Sequence, residues 1–232
     1  QGVASRPRLA GRAIASMPGF TSGPAQTISV PELTQTLSDA TTARARWKAA
    51  EALGRQGSEA APAVPQLVSA LSDADQDVRC SVARALGHIG LAAAGCAPVL
   101  RGLLSEDSDG GVRWAAAEAL GNLGSAAEPA LPALLTALED EEEDVRGAAA
   151  VSIGKFGQAG VDVATAVPAI SELTADEEWH VRCSAAEALG RLGASASAAV
   201  PALRVAVTDS HPRVSKTAQS ALDRILGASE PQ

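Results

Sequence analysis

The sequence predicts an all-α protein, a solenoid of six helical hairpins stacked on one another, and three observations predict it. A segment running from Val112 to Gly124, VRWAAAEALGNLG, recurs in five further near copies. The copies start 33, 34, 33, 36 and 33 residues apart, about the length of one helical hairpin. Before each copy, at a nearly constant distance, a proline opens a second apolar stretch.

Unit one, residues 29–57, opens with VPELTQTL around Pro31 and closes with ARWKAAEALGRQG, Ala45 to Gly57. Proline suits the first turn of a helix, where its missing N–H would have no partner anyway. Unit two, residues 64–90, carries VPQLVSAL, whose Leu67, Val68 and Leu71 share one helical face. Its VRCSVARALGHIG repeats that face with Val78, Val82, Leu86 and Ile89, and the closing Gly90 is a natural helix stop. Unit three, residues 95–124, joins APVLRGLL to the parent segment. Unit four, residues 128–157, joins LPALLTAL to VRGAAAVSIGKFG across the acid run Glu139, Asp140, Glu141, Glu142, Glu143 and Asp144. That run lacks the glycine turn and alternating spacing of a calcium loop, so it reads as a solvated turn favouring the helix that follows. Unit five, residues 164–193, follows a longer connection and places Trp179 beside His180 in the turn between VPAISEL and VRCSAAEALGRLG. Unit six, residues 197–227, ends the array with VPALRVAV and VSKTAQSALDRIL, whose polar Lys216, Thr217, Gln219 and Asp223 suit a capping repeat. Residues 1–28 read as a basic non-repeat arm with Arg6, Arg8 and Arg12 and no acid before Glu32, similar to a transit peptide. The expected compartment is therefore intracellular, with an organelle such as the plastid among the options, and residues 228–232 form a polar tail.

Hydrophobic residues make up 46% of the chain and aromatics 2%, so the interior must be built from Ala, Leu, Val and Ile. Small side chains bring helices toward the short end of the usual ~8–10 Å separation. No apolar run reaches the ~20 residues of a membrane span, which predicts a soluble chain. A net charge of −8 and a pI near 4.9 exclude a general nucleic-acid binder, which needs a basic stripe. Cys80, Cys96 and Cys183 read as reduced thiols, since units two and five lie too far apart for a disulfide.

The VP of the first helices, the turn aspartate and the VR-x-x-A-A-x-A-L-G-x-L-G of the second helices resemble the HEAT-repeat proteins. Within them the likeness is to the short repeats of the phycobilisome lyase-like group, over residues 29–227. The resemblance implies a ladder between the turn aspartate and the arginine that opens the second helix. Asp73 and Arg79, Asp107 and Arg113, Asp140 and Arg146, and Asp176 and Arg182 keep a six-residue separation. The end units depart, with Asp39 seven before Arg46 and with Ser215 in the place of the arginine after Asp209.

In this architecture the second helices line the concave wall. Positions three, seven and eleven of the segment lie four apart and share one face. Position three reads Trp47, Cys80, Trp114, Gly147, Cys183 and Lys216. Position seven reads Glu51, Arg84, Glu118, Val151, Glu187 and Ser220, and position eleven Arg55, His88, Asn122, Lys155, Arg191 and Arg224. Glu51 with Arg55 and Glu187 with Arg191 are i,i+4 pairs worth only a few tenths of a kcal/mol each. Two tryptophans on an aromatic-poor wall are either partner anchors or packing between units. The expected partner-binding set is Trp47, Glu51, Arg84, Trp114, Glu118, Trp179, Glu187 and Arg191.

Catalysis finds little support. Deoxyhypusine hydroxylase is a HEAT-type enzyme family that binds iron through His-Glu pairs, whereas His88, His180 and His211 are none of them followed by Glu. No nucleophile elbow, phosphate loop or Cys–His constellation occurs. The expectation is a non-catalytic scaffold or adaptor without cofactor or metal, binding another protein either freely or as a fixed subunit of a larger assembly. The alternative implied by the resemblance is a phycobilin lyase-like subunit, in which Trp47, Trp114, Arg55 and Arg84 would line a site for an open-chain tetrapyrrole and its propionates.

Overall fold

The computed structural model describes residues 28–227; the readings of the basic arm and the polar tail lie outside the described residues. Among the described residues, twelve α-helices pair into six hairpins. The first helices are α1 (Val30–Asp39), α3 (Val64–Ala70), α5 (Ala97–Glu106), α7 (Leu131–Ala137), α9 (Val167–Glu172) and α11 (Val200–Ala206). The second helices are α2 (Ala43–Arg55), α4 (Gln76–Ile89), α6 (Gly110–Leu123), α8 (Glu143–Gln158), α10 (Trp179–Leu192) and α12 (Pro212–Gly227).

Every first helix has its proline within the first two positions. Three of the second helices begin on extended residues whose side chains take up free N–H groups: Thr42 accepts from Ala45, Asp75 from Asp77 and Val78, and Asp109 from Val112. Gly57, Gly90, Gly124 and Gly193 follow the second helices at φ of 56°, 72°, 57° and 56°, the left-handed region where a side chain is strained. Unit four departs from this pattern. Here α8 runs through Gly157 to Gln158, and Gly160, at φ 85°, takes the left-handed conformation. Gly157 serves close packing instead, because a Cβ on it would collide with Leu192.

Between hairpins the chain is more regular than a simple turn. Seven-residue 3-10 segments, Gly57–Ala63, Gly90–Cys96, Gly124–Ala130 and Gly193–Ala199, lead into α3, α5, α7 and α11. Proline near the junction removes an N–H that a continuous α-helix would use, and the tighter i→i+3 pattern bridges it. The stretch Gln76–Glu106 is long and apolar enough by composition to cross a membrane. It is bent into α4 and α5 at Gly90, and half of its apolar window is buried inside the array.

Second helices stack closely on one another from unit to unit, while the shorter first helices touch their counterparts far less, as expected where second helices line the concave side of the repeat. The close approach comes from position ten. A Cβ on Gly54 would lie 3.0 Å from the Cα of Ala85, on Gly87 2.8 Å from that of Ala119, and on Gly154 and Gly190 3.0 Å from those of Ala188 and Ala221. The recurrent Ala-Leu-Gly is therefore a seam in which the glycine of one unit receives the alanine of the next. In unit four that alanine is Ser152, which is buried and donates to the carbonyl of Ala117 at 2.8 Å.

The ladder runs from each unit to the next. Arg46, Arg79, Arg113, Arg146 and Arg182 each fork onto the turn aspartate of the following unit, Asp73, Asp107, Asp140, Asp176 and Asp209, with Nε–Oδ2 distances of 2.6–2.9 Å. The Nη1 of the same arginine donates to its own turn, to the carbonyls of Ala40, Asp73, Asp107, Asp140 and Asp176. Unit one thus uses the carbonyl of Ala40, six residues before Arg46, and not Asp39. In unit six Ser215 stands in the place of the arginine, and its Oγ donates to the carbonyl of Val207 at 2.7 Å. Hydrogen bonds from Arg46 and Arg182 hold Asp73 and Asp209 below the ordinary aspartate range. Burial pushes Asp107, Asp140 and Asp176 upward, but the forks of Arg79, Arg113 and Arg146 outweigh it and leave all three low.

Candidate functional site: the concave wall

Position three lies half under the neighbouring unit. Trp47, Trp114, Cys80 and Cys183 are half-buried against the core, and Gly147 is buried. Trp47 walls a recess of about 180 Å³ with Glu51, Arg55, Arg84 and His88, and Glu51 pairs with Arg55 at 3.1 Å. Arg84 reaches into the next unit, with its guanidinium 5.5 Å from the centre of the Trp114 ring and 3.9 Å from Glu118 Oε2. That separation is too long for a hydrogen bond, so Glu118 Oε2 is buried without a donor.

A second recess, of about 220 Å³, opens beside Trp114 because unit four offers Gly147 and Val151 where other units carry larger or charged residues. Lys155 and His180 form its far side. Lys155 donates to Asn122 Oδ1 at 2.7 Å, and burial lowers its pKa below that of an ordinary lysine. His180 Nε2 is 3.6 Å from Asp144 Oδ1 and has no hydrogen-bond partner. A third recess, of about 510 Å³, lies between α8, α10 and α12 and includes Glu187, Arg191, Lys216 and Arg224. There Arg191 binds Glu187 at 2.6 Å and Gln158 Oε1 at 3.3 Å.

Trp179 stands apart from the other candidates. It is the first residue of α10, not a turn residue. Its ring stacks on His211, with centroids 4.1 Å apart and planes 7° from parallel, meets His180 edge-on, and lies under Arg213. These contacts tie unit five to unit six, and Trp179 lines none of the three recesses described. The wall thus brings together Trp47, Glu51 and Arg84 in one place, Trp114 and Glu118 in a second, and Glu187 and Arg191 in a third. Lys155, Lys216, Arg224 and His180 belong with them; the first three stood in the rows read from the sequence, which did not show which residues would face open space, and His180 lies outside those rows.

Burial raises Cys80 and Cys96 to about 11, so both are thiols at neutral pH. Cys183 Sγ lies 3.3 Å from Thr217 Oγ1. Among the described residues no three His, Cys, Asp or Glu side chains gather as a metal site.

The family model for HEAT repeats matches residues 30–121, 64–154 and 131–223. No curated protein matches the sequence. An engineered protein of solved structure is similar at 26% identity and a TM-score of 0.63, covering 85% of this chain and 96% of its own. Computationally designed armadillo repeat proteins for modular peptide recognition are similar at 22% identity and a TM-score of 0.60, covering 84% and 99%. The complex of CpcE and CpcF of phycocyanin lyase from Nostoc sp. PCC7120 is similar at 23% identity and a TM-score of 0.66, covering 91% and 82%. With the glycine–alanine seam and the arginine–aspartate ladder running through the residues so matched, the chain belongs to the HEAT-repeat family.

Proposed function

We propose that this protein is a non-catalytic scaffold or adaptor that binds another protein along its concave wall, with Trp47 and Trp114 as anchors. The observation that carries the reading is the size of the recesses beside them. At about 180 and 220 Å³ they fall below the ~300–1,000 Å³ of small-molecule sites and suit single side chains of a docked polypeptide. Two such recesses two units apart on one wall fit an extended segment read a side chain at a time. The designed armadillo proteins, which share the fold and recognise peptides, support the same use.

The test is the pair Trp47→Ala and Trp114→Ala, with circular dichroism as the check on folding. Capture of the partner from the source extract should fall at least about tenfold. Unchanged capture by the folded double variant would move docking to the convex face or the turns. Native-size chromatography of the extract separates a free adaptor from a fixed subunit.

A second reading, handling of an open-chain tetrapyrrole, is supported by the likeness in fold to the phycocyanin lyase complex and by Arg55 and Arg84 beside the tryptophan recesses. Against it, both recesses are small for such a pigment. Added bilin should therefore leave its absorption band unshifted, and a red-shifted bound band would favour the second reading.

A further inference from the structure

We propose that the last third of the concave wall docks an acidic segment of the partner protein, held by Arg191, Lys216 and Arg224. The inference rests on the concave wall being the docking face and adds the chemistry of what docks at one end of it.

The chain carries a net charge of −8. The recess between α8, α10 and α12 nevertheless holds three cations against one carboxylate, Glu187. That carboxylate is already engaged by Arg191 at 2.6 Å. Among the described residues, Lys216 and Arg224 have no carboxylate within ion-pair distance. Two positive charges therefore face the groove uncompensated, and the hydroxyls of Thr217 and Ser220 stand beside them as further donors.

Helix stability explains only one of the two. Arg224 lies in the last turn of α12, where a cation complements the helix dipole. Lys216 lies near the opposite end, where a cation does not. Its position holds Trp, Cys or Gly in the other five units, so a lysine there is a departure on the face that meets a partner.

Apart from Glu51, Glu118 and Glu187 on the wall, the acids concentrate at the turns between helices and the helix starts that follow them, where the run Glu139 to Asp144 and the ladder aspartates sit. The result is a positive island at one end of a negative molecule. Such an island steers a short negative segment into register and speeds encounter, and salt weakens both effects. A polynucleotide needs a continuous basic stripe, and the acidic turns along the wall deny it one.

The test uses the full chain and fluorescence anisotropy with three probes: a labelled glutamate-rich peptide, a lysine-rich peptide of the same length, and oligothymidylate. The glutamate-rich peptide should bind best, and its affinity should fall as ionic strength rises from ~0.01 M to ~0.15 M. The double reversal K216E/R224E should lower that affinity at least about tenfold. The reversal R44E/K48E changes net charge equally on an exposed part of α2 outside the recess and should leave it unchanged. The neutral pair K216M/R224M should give a smaller loss of the same sign, which keeps the test valid if the reversal disturbs folding. The proposal is overturned if the glutamate-rich peptide fails to bind, if K216E/R224E binds it as wild type does, or if either other probe binds as tightly. Trp47→Ala with Trp114→Ala should leave glutamate-peptide binding intact, so failure here does not remove the tryptophan anchors, nor theirs this island.

Discussion

Gly87 and Ala119 meet across two neighbouring second helices at a distance that leaves no room for a methyl group. Gly87→Ala should cost about 1–3 kcal/mol, because either the helices separate or a backbone shifts. Gly95→Ala is the control: nothing lies within 4 Å of its added Cβ, its φ is not left-handed, and the expected change is near zero or slightly stabilising. Urea unfolding midpoints of the two variants check this, and equal midpoints would remove the close approach as the reason for the glycine. Arg113 is only 8% exposed and binds both Asp140 and the carbonyl of Asp107. Arg113→Ala strands a largely buried carboxylate and should cost about 3 kcal/mol, read by the same measurement.

At the scale of elements, the ladder joins each hairpin to the next, so its titration is visible in the stability of the array. Each of its aspartates has a folded pKa below the ordinary value of about 3.9. For a depressed carboxylate the added stability is complete above the unfolded pKa and is lost as pH falls through the folded one. The urea midpoint should therefore stay level from neutral pH down to about pH 5 and drop steeply below about pH 4. The double variant Arg113→Ala, Arg146→Ala should show a shallower acid limb, since two of the depressed carboxylates lose their forks; a limb of unchanged steepness would place the acid sensitivity elsewhere. The same elements show what pattern-reading resolves. The six-residue spacing of Arg79, Arg113, Arg146 and Arg182 to a turn aspartate was legible as a repeat. The sequence could not show that the arginine binds its own turn through a carbonyl and the next turn through a carboxylate. At the first unit, where Asp39 lies seven residues before Arg46, that carbonyl is the one six residues before it, Ala40.

Across the whole molecule, each hairpin touches only its neighbours, so stability adds along the array and is greatest where neighbours lie on both sides. Amide hydrogen exchange should be slowest in α6 and α8 and quicken toward α2 and α12. Uniform protection throughout would instead mark a single cooperative unit. The sequence by itself determined the fold class, the number of hairpins and the wall on which Trp47, Trp114, Glu118 and Arg191 stand. It could do so because a helix of period 3.6 and a repeat near 33 residues are both written in the spacing of side chains. Only the tertiary structure decided that Trp179 is held in a stack with His211, that Gly157 lies within a helix, and that, among the described residues, Lys216 and Arg224 line a recess without a carboxylate within ion-pair distance of either. Those outcomes depend on which neighbour fills or leaves the space above each residue, a contact between units that no spacing within one unit encodes.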